Sequence, residues 1–302
     1  MHDLKTNFGI FRDLCKSFLQ PYLNKHDNFK NYRHHPKMCD LDIIALSLCQ
    51  EAMSIDSENF FWSKLKNDYN KDFPDLIHLT RYNTRKKNLA EFTHRCNQRL
   101  AEDLSSGENI FLIDSIPIPV CKNARANRLK VCCENFESSP DKGYSAINRQ
   151  YYTGYKLHLV TSIEGVSVSY DITKASVHDI HFLNDVKYSG LNNATLIGDG
   201  AYISSECKID LFETCKITLA APAKKSQLNQ PIFPFTFKKS RKRIETLFSQ
   251  LCDQMMLKRN YAKTFLGLSI RILSKITAVT ALQMINRNSG RPLNRLKHAL
   301  AT

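Results

Sequence analysis

Five short apolar runs, two of them closed by an aspartate, constrain this chain more than any other feature of its sequence. Asn109-Ile-Phe-Leu-Ile-Asp114 reads as a buried strand ending at a carboxylate. Tyr155–Thr161 and Val166–Thr173 follow as two strands joined at Glu164-Gly165, a hairpin signal. Ala194-Thr-Leu-Ile-Gly-Asp199 is a fourth strand and Ile217–Pro222 a fifth. Helical segments are expected at His178–Tyr188 and Ile203–Thr214, between these runs. Pro231–Pro234 breaks the chain before a helix from about Ser240, where Ile244, Leu247, Phe248 and Leu251 form an i, i+3, i+4, i+7 stripe. A last helix is expected over Phe265–Ile285. Three strands in series followed by alternating helices and strands define an α/β chain with an antiparallel start.

That order is the ribonuclease H-like arrangement, a mixed sheet flanked by helices, and it sets an expected domain of residues 106–290. A polar loop insertion at about 122–150 interrupts it, and 291–302 reads as a loose basic tail. Residues 1–105 read as all-helical. Ile10, Leu14, Phe18 and Leu19 keep helical spacing until Pro21, Asp40 or Asp42 caps a second helix, Ser57–Lys66 gives a third, and Thr80–Leu100 gives a long basic one. This region is either a DNA-binding unit of the helix-turn-helix kind or a helical cap on the next domain. Trp62 reads as core, and Pro117 with Pro119 stiffens the exit from the first strand.

The charge names the partner class. The chain has 302 residues, with 43 Lys and Arg against 29 Asp and Glu, a formal net charge of +14. Such an excess suits a polyanion, because Lys and Arg displace the counterions condensed on phosphates. The basic residues cluster at Arg81, Arg85, Lys86 and Lys87, at 122–130, at Lys224-Lys225, and at Lys238, Lys239, Arg241, Lys242 and Arg243. Separated patches fit a long nucleic acid better than a small anion or a membrane surface. No run approaches the 18 to 20 apolar residues of a membrane span, and the N-terminal stretch lacks an apolar signal core, so a soluble cytoplasmic protein is expected. The ten cysteines contain no C-x-x-C pair, which favours free thiols over zinc.

Asp114, Asp199 and Glu245 carry the chemistry. Two follow strongly apolar strands, where a carboxylate would otherwise sit awkwardly near the core. The third lies on the helix that such a fold packs across the first and fourth strands. Three acids converging on one point can hold two divalent ions, Mg²⁺ or Mn²⁺, which activate a nucleophile and stabilise a leaving oxygen in phosphodiester cleavage. His178 and Asp179 are either near this site or a helix-opening cap. Lys156 and His158 alternate along one strand and present one face, to DNA or to solvent. Tyr202 either stacks on a base or packs in the core.

At these residues the chain resembles the DDE-type transposases of bacterial insertion sequences, most closely insertion-sequence family nine-eighty-two. The resemblance rests on F-L-I-D-S-I-P-I-P-V-C around Asp114, L-I-G-D-G-A-Y around Asp199 and R-K-R-I-E-T-L-F-S-Q-L around Glu245, with G-Y-K-L-H at 154–158 and A-S-V-H-D at 175–179 between them. It implies that Asp114, Asp199 and Glu245 are the catalytic triad and bind two divalent metals. It also implies terminal inverted repeats and target DNA as partners, and a dimer or higher multimer that handles two ends together. Arg241 lies four residues before Glu245, as in the wider group's Tyr-Arg-Glu signature, but Lys238 stands at the Tyr position and Cys252 at the later Lys position. The alternatives are a nuclease that cleaves without joining strands, and an inactive DNA-binding protein that retains the fold.

Overall fold

A computed structural model describes residues 3–146, 149–222 and 233–300. Residues 101–250 form one compact unit, and residues 1–100 together with 251–302 form another. By its internal packing the chain thus divides near residues 100 and 250.

The first unit is a six-stranded mixed sheet with helices. Its strands are β1 (Ile110–Pro119), β2 (Asp141–Ser145), β3 (Gln150–Ser162), β4 (Ser167–Lys174), β5 (Thr195–Ile197) and β6 (Thr218–Ala220). The order is β2-β3-β1-β5-β6, with β4 also on β3. β1 runs antiparallel to β3 and parallel to β5, and β5 parallel to β6. This is the ribonuclease H-like order read from the sequence. Phe111, Ile113 and Val160 of the sheet pack with Phe182, Leu183 and Leu211 in one apolar cluster. Those last three lie on the short α6 (Phe182–Val186) and on α7 (Ser205–Cys215).

Two expectations change here. The insertion at 122–150 contains β2, whose sequence D-K-G-Y-S lacks an apolar run, because as an edge strand it buries little beyond Gly143 and Ser145. β3 is long enough to take β4 along Tyr155–Thr161 and β2 along Gly154–Gln150. In addition, the helix expected over 178–188 is a 3-10 turn at Asp179–His181 followed by α6 alone.

The second unit comprises α1 (Leu4–Leu19), α2 (Asp40–Ala52), α3 (Glu58–Asp68), α4 (Leu79–Asn88), most of α5 (Ala90–Leu104) and α9 (Phe265–Asn288). Between the units' helices in chain order, α8 (Phe235–Asp253) contains the division at 250. The long basic helix expected over 80–100 is broken at Leu89, so it appears as α4 and α5. The cap of α2 is Cys39, whose Sγ accepts from the Asp42 N–H, while Asp40 begins the helix fully buried.

α9 is the one described helix long and apolar enough to cross a membrane, and 78% of its apolar window is buried inside the protein. The expectation that no such segment exists is corrected by this helix, whose apolar surface packs against α2. Ser274 and Ser47 share a hydrogen bond of 2.9 Å between the two helices. The buried Glu51 of α2 receives Arg271 Nε at 3.0 Å and pairs with Lys275, which also donates to the Met255 carbonyl at 2.6 Å. Desolvation pulls the Lys275 ammonium below its usual range, with Glu51 acting against that pull. The tail is not loose either: Leu296, Ala299 and Leu300 are buried, and Arg291 donates to the His298 carbonyl at 2.8 Å.

Removing one member of a buried charge group leaves the others without compensation, at a cost of about 3 to 5 kcal/mol. Glu51→Gln is therefore expected to lower the denaturant-unfolding stability of the protein by about that amount. Asp68→Asn, in the exposed pair with Lys64 (3.0 Å), is expected to cost less than about 1 kcal/mol. Equal effects from the two substitutions would show that the buried group contributes nothing special.

Candidate active site

The sheet register brings the first two acids together. Leu112 of β1 and Ile197 of β5 are the last parallel pair, and Asp114 and Asp199 each lie two residues beyond it. β1 continues past Asp114 to Pro119 along β3 but no longer has β5 on its other edge. The aspartate expected to close the strand thus sits in mid-strand, at the point where one edge opens. Gly198 lets the chain turn out of β5 there, since a Cβ would lie 3.0 Å from the Tyr202 ring and 3.1 Å from an Ile113 methyl.

α8 supplies the rest. Lys238, Arg241, Lys242 and Glu245 follow i, i+3, i+4, i+7 spacing, one face of the helix. Arg241 Nη2 lies 3.4 Å from Asp114 Oδ2 and 4.0 Å from Asp199 Oδ2. The other oxygen of each aspartate is held by backbone: Asp114 Oδ1 accepts the Ser115 N–H, and Asp199 Oδ1 accepts the Ala201 N–H, both at 2.8 Å. Each carboxylate is therefore oriented by one oxygen and offers the other to a shared cation. Glu245 is exposed, one turn beyond Arg241, and close enough to raise the Asp114 pKa.

Burial is the main reason that the Asp114 carboxyl is pushed up to about 6. The Ser115 N–H and Arg241 pull it down, while Asp199 and Glu245 push it up. This is a centre short of positive charge. Among the described residues, no three His, Cys, Asp or Glu side chains close around an ion-sized point. Asp114, Asp199 and Glu245 thus do not close into one ligand cluster: the convergence expected of three acids is seen for the two aspartates, which share Arg241.

The remaining candidate residues fall into distinct groups. Arg81, Lys87, Lys238, Lys239 and Lys242 are exposed, as a phosphate-binding role requires. Arg85 instead donates to the Met38 carbonyl at 2.6 Å and to the buried Asp40 at 2.5 Å. Lys86 is buried against Glu58, and Arg243 Nε donates to the Glu164 carbonyl at 3.1 Å. These three cations are committed to holding the fold. The Lys224-Lys225 patch lies outside the described residues.

Lys156 and His158 present neither a DNA-binding nor a solvated face. The Lys156 ammonium donates to Asp179 Oδ1 and to the Val177 carbonyl, both at 2.6 Å. Desolvation would raise the Asp179 pKa, but Lys156 and the Ser115 hydroxyl, at 2.9 Å, hold it below the usual range. Asp179 is thus linked to Ser115, the residue beside Asp114. His158 is fully buried, bonded through Nε2 to Thr173 Oγ1 at 2.9 Å, and desolvation lowers its pKa to about 4. His178 is exposed and accepts the Ile180 N–H at 3.3 Å, which is the capping role. Tyr202 is fully buried in the core cluster, out of reach of a DNA base. What the sequence did not announce is the Ser115–Asp179–Lys156 chain, since its members are 64 and 23 residues apart.

One carboxylate in mid-strand and one just past the end of the adjacent parallel strand face a cation on α8 in a ribonuclease H-like α/β fold. Residues 105–281 match the family model described as the transposase DDE domain, and the chain belongs to that family. It is a transposase of the DDE type. No curated protein and no solved structure matches the chain significantly.

A carboxyl pKa raised by folding has a definite consequence for stability. Between pH 3.8 and about 6 the native state holds a proton on Asp114 that the unfolded chain releases, so stability falls as pH rises through this window. Without divalent cations, Asp114→Asn is expected to raise the melting temperature at pH 7 relative to the parent, with a gain of at most about 3 kcal/mol. The difference should vanish near pH 3.5. A variant less stable than the parent at pH 7 in chelator would mean that the carboxylate is not strained by its surroundings.

Proposed function

We propose that this DDE transposase acts for a bacterial insertion sequence of the nine-eighty-two kind, binding terminal inverted repeats and catalysing metal-dependent cleavage and strand transfer in the cytoplasm. The juxtaposition of Asp114 and Asp199, both facing Arg241, is the observation that carries this reading. Asp114, Asp199 and Glu245 would hold two divalent ions through oxygen donors. When bound, these ions supply charge that lowers the pKa of a water or 3′-hydroxyl and stabilises the leaving oxygen.

The protein's own groups do the positioning. The Ser115 and Ala201 N–H groups fix the carboxylate planes, so that the free oxygens point to one place. Arg241 balances the two aspartates and, with its remaining donors, would meet a phosphate oxygen. Lys238 and Lys242 flank it on the same helix and would guide the strand across the acids. The exposed Arg81 and Lys87 of α4 make the helical unit the favoured reader of terminal repeats. Lys87 lines a cleft of about 610 Å³ there, with Lys263, Tyr261 and Thr264. That unit is completed by α9, so its role is best tested by substitution in the full chain. Handling two ends calls for a dimer or larger assembly.

Asp114→Asn, Asp199→Asn and Glu245→Gln are expected to lower cleavage of labelled element ends in Mg²⁺ by several orders of magnitude, with DNA binding retained. Glu213→Gln, on the exposed surface of α7, should cleave like the parent. Full metal-dependent cleavage by any of the three would remove that residue from the triad. Joined products with a plasmid target separate a transposase from a nuclease that only cuts, and their absence from a cleaving protein would favour the nuclease.

Exposed lysines give a second expectation. Replacing Lys238, Lys239 and Lys242 by Ala should reduce the steepness of log affinity against log salt by about 0.9 for each duplex phosphate that is no longer neutralised. An unchanged slope would place the backbone-binding cations elsewhere.

A further inference from the structure

The β2–β3 hairpin carries an aromatic pair that the triad does not use. Tyr144 and Tyr151 are directly opposite in the antiparallel register, with ring centroids 5.2 Å apart in an edge-to-face arrangement. Both rings are more than half exposed, at 55% and 57%. The inner side of the same hairpin is pinned. Tyr152 is buried, and a Cβ on Gly143 would lie 2.6 Å from the Ala175 carbonyl oxygen, so the hairpin backbone lies tightly on the sheet. The Tyr151 carbonyl is also braced by Asn123 at 2.6 Å. Two large rings therefore stand outward on a fixed platform.

Their surroundings are cationic. The Lys142 ammonium lies 4.4 Å from the centre of the Tyr151 ring. The 3-10 turn that begins at Asn123 carries the exposed Arg125 and Arg128. Between 121 and 151 there are six Lys and Arg against three Asp and Glu. Exposed aromatics set among basic groups meet bases by stacking and phosphates by charge. An apolar protein partner would gain from the rings but would have to desolvate the cations.

We propose that Tyr144 and Tyr151 form a stacking platform for unpaired bases of DNA, an inference that rests on the transposase reading. Tyr151 lies eight residues along β3 from Leu159, the partner of Asp114, a strand length of about 26 Å. The platform would hold a frayed or displaced strand at that distance from the acids, on the same sheet.

The test uses the full-length protein and three probes of one sequence: a single strand, a blunt duplex and a duplex with a single-stranded overhang, with 2-aminopurine in the unpaired segment. The double substitution Tyr144→Ala, Tyr151→Ala is expected to weaken binding of the single strand and overhang by about tenfold or more. It should also abolish the stacking-induced quenching, while blunt-duplex affinity stays within about twofold of the parent. Phe at both positions should restore binding and quenching, and Leu at both should restore neither. Parental single-strand affinity in the Ala variant, full rescue by Leu, or an equal loss on blunt duplex would overturn the platform. So would a changed oligomeric state with unchanged DNA binding, which would assign this face to contacts between copies. A parent protein that binds none of the three probes would overturn the transposase reading itself, a result distinguishable from failure of the hairpin alone.

Discussion

A carboxylate in the middle of a central strand is the constraint around which the sheet unit is arranged. Asp114 follows four apolar residues of β1, and its ionised form is disfavoured by burial. The fold tolerates it because β5 ends two residues earlier, opening one edge, and because α8 brings Arg241 to that opening. Asp199 adds a second charge to the same place. An uncompensated pair would be costly, and one guanidinium shared between them is incomplete compensation. The site is left with one guanidinium facing two carboxylates.

A second ring of groups steadies this centre without entering it. Ser115 points to the opposite side of β1 from Asp114 and donates to Asp179, which Lys156 holds in turn. The buried His158, bonded to Thr173, fills the adjoining space as a neutral ring. These polar residues thus support the strand that carries the first acid. The same economy governs the helical unit, where Glu51 organises Arg271 and Lys275 of a helix more than two hundred residues away.

The strands β1, β3, β4 and β5 were legible because each is an apolar run bounded by turn residues, and the family follows from motifs placed on those runs. That Asp114 and Asp199 lie together follows from the same runs: each comes just after an apolar stretch, and β1 and β5 pair in parallel register. β2 was hidden because an edge strand with Asp, Lys and Gly needs no apolar face. The break at Leu89 was hidden because helical periodicity continues through it. Charge alone could not tell a phosphate-binding lysine from a structural one. Lys87 and Lys86 are neighbours in the sequence, yet one is exposed and the other buried on Glu58. That distinction depends on partners brought in by the tertiary fold, as does the placement of α9 against α2.

The helical unit is written in two pieces, with the whole sheet unit between them. During synthesis the sheet unit can pair all its strands as soon as residue 250 has emerged. The face of α2 that bears Glu51 must wait for Arg271 and Lys275, which follow the entire sheet unit. Loop closure across so long a separation is slow and leaves apolar and charged surface uncovered until α9 has been made. A premature stop or a frameshift between residue 250 and α9 would therefore yield a chain with its acids assembled and its helical unit unsealed. Order of synthesis and order of packing thus run opposite ways here: the first helices made are among the last to be covered.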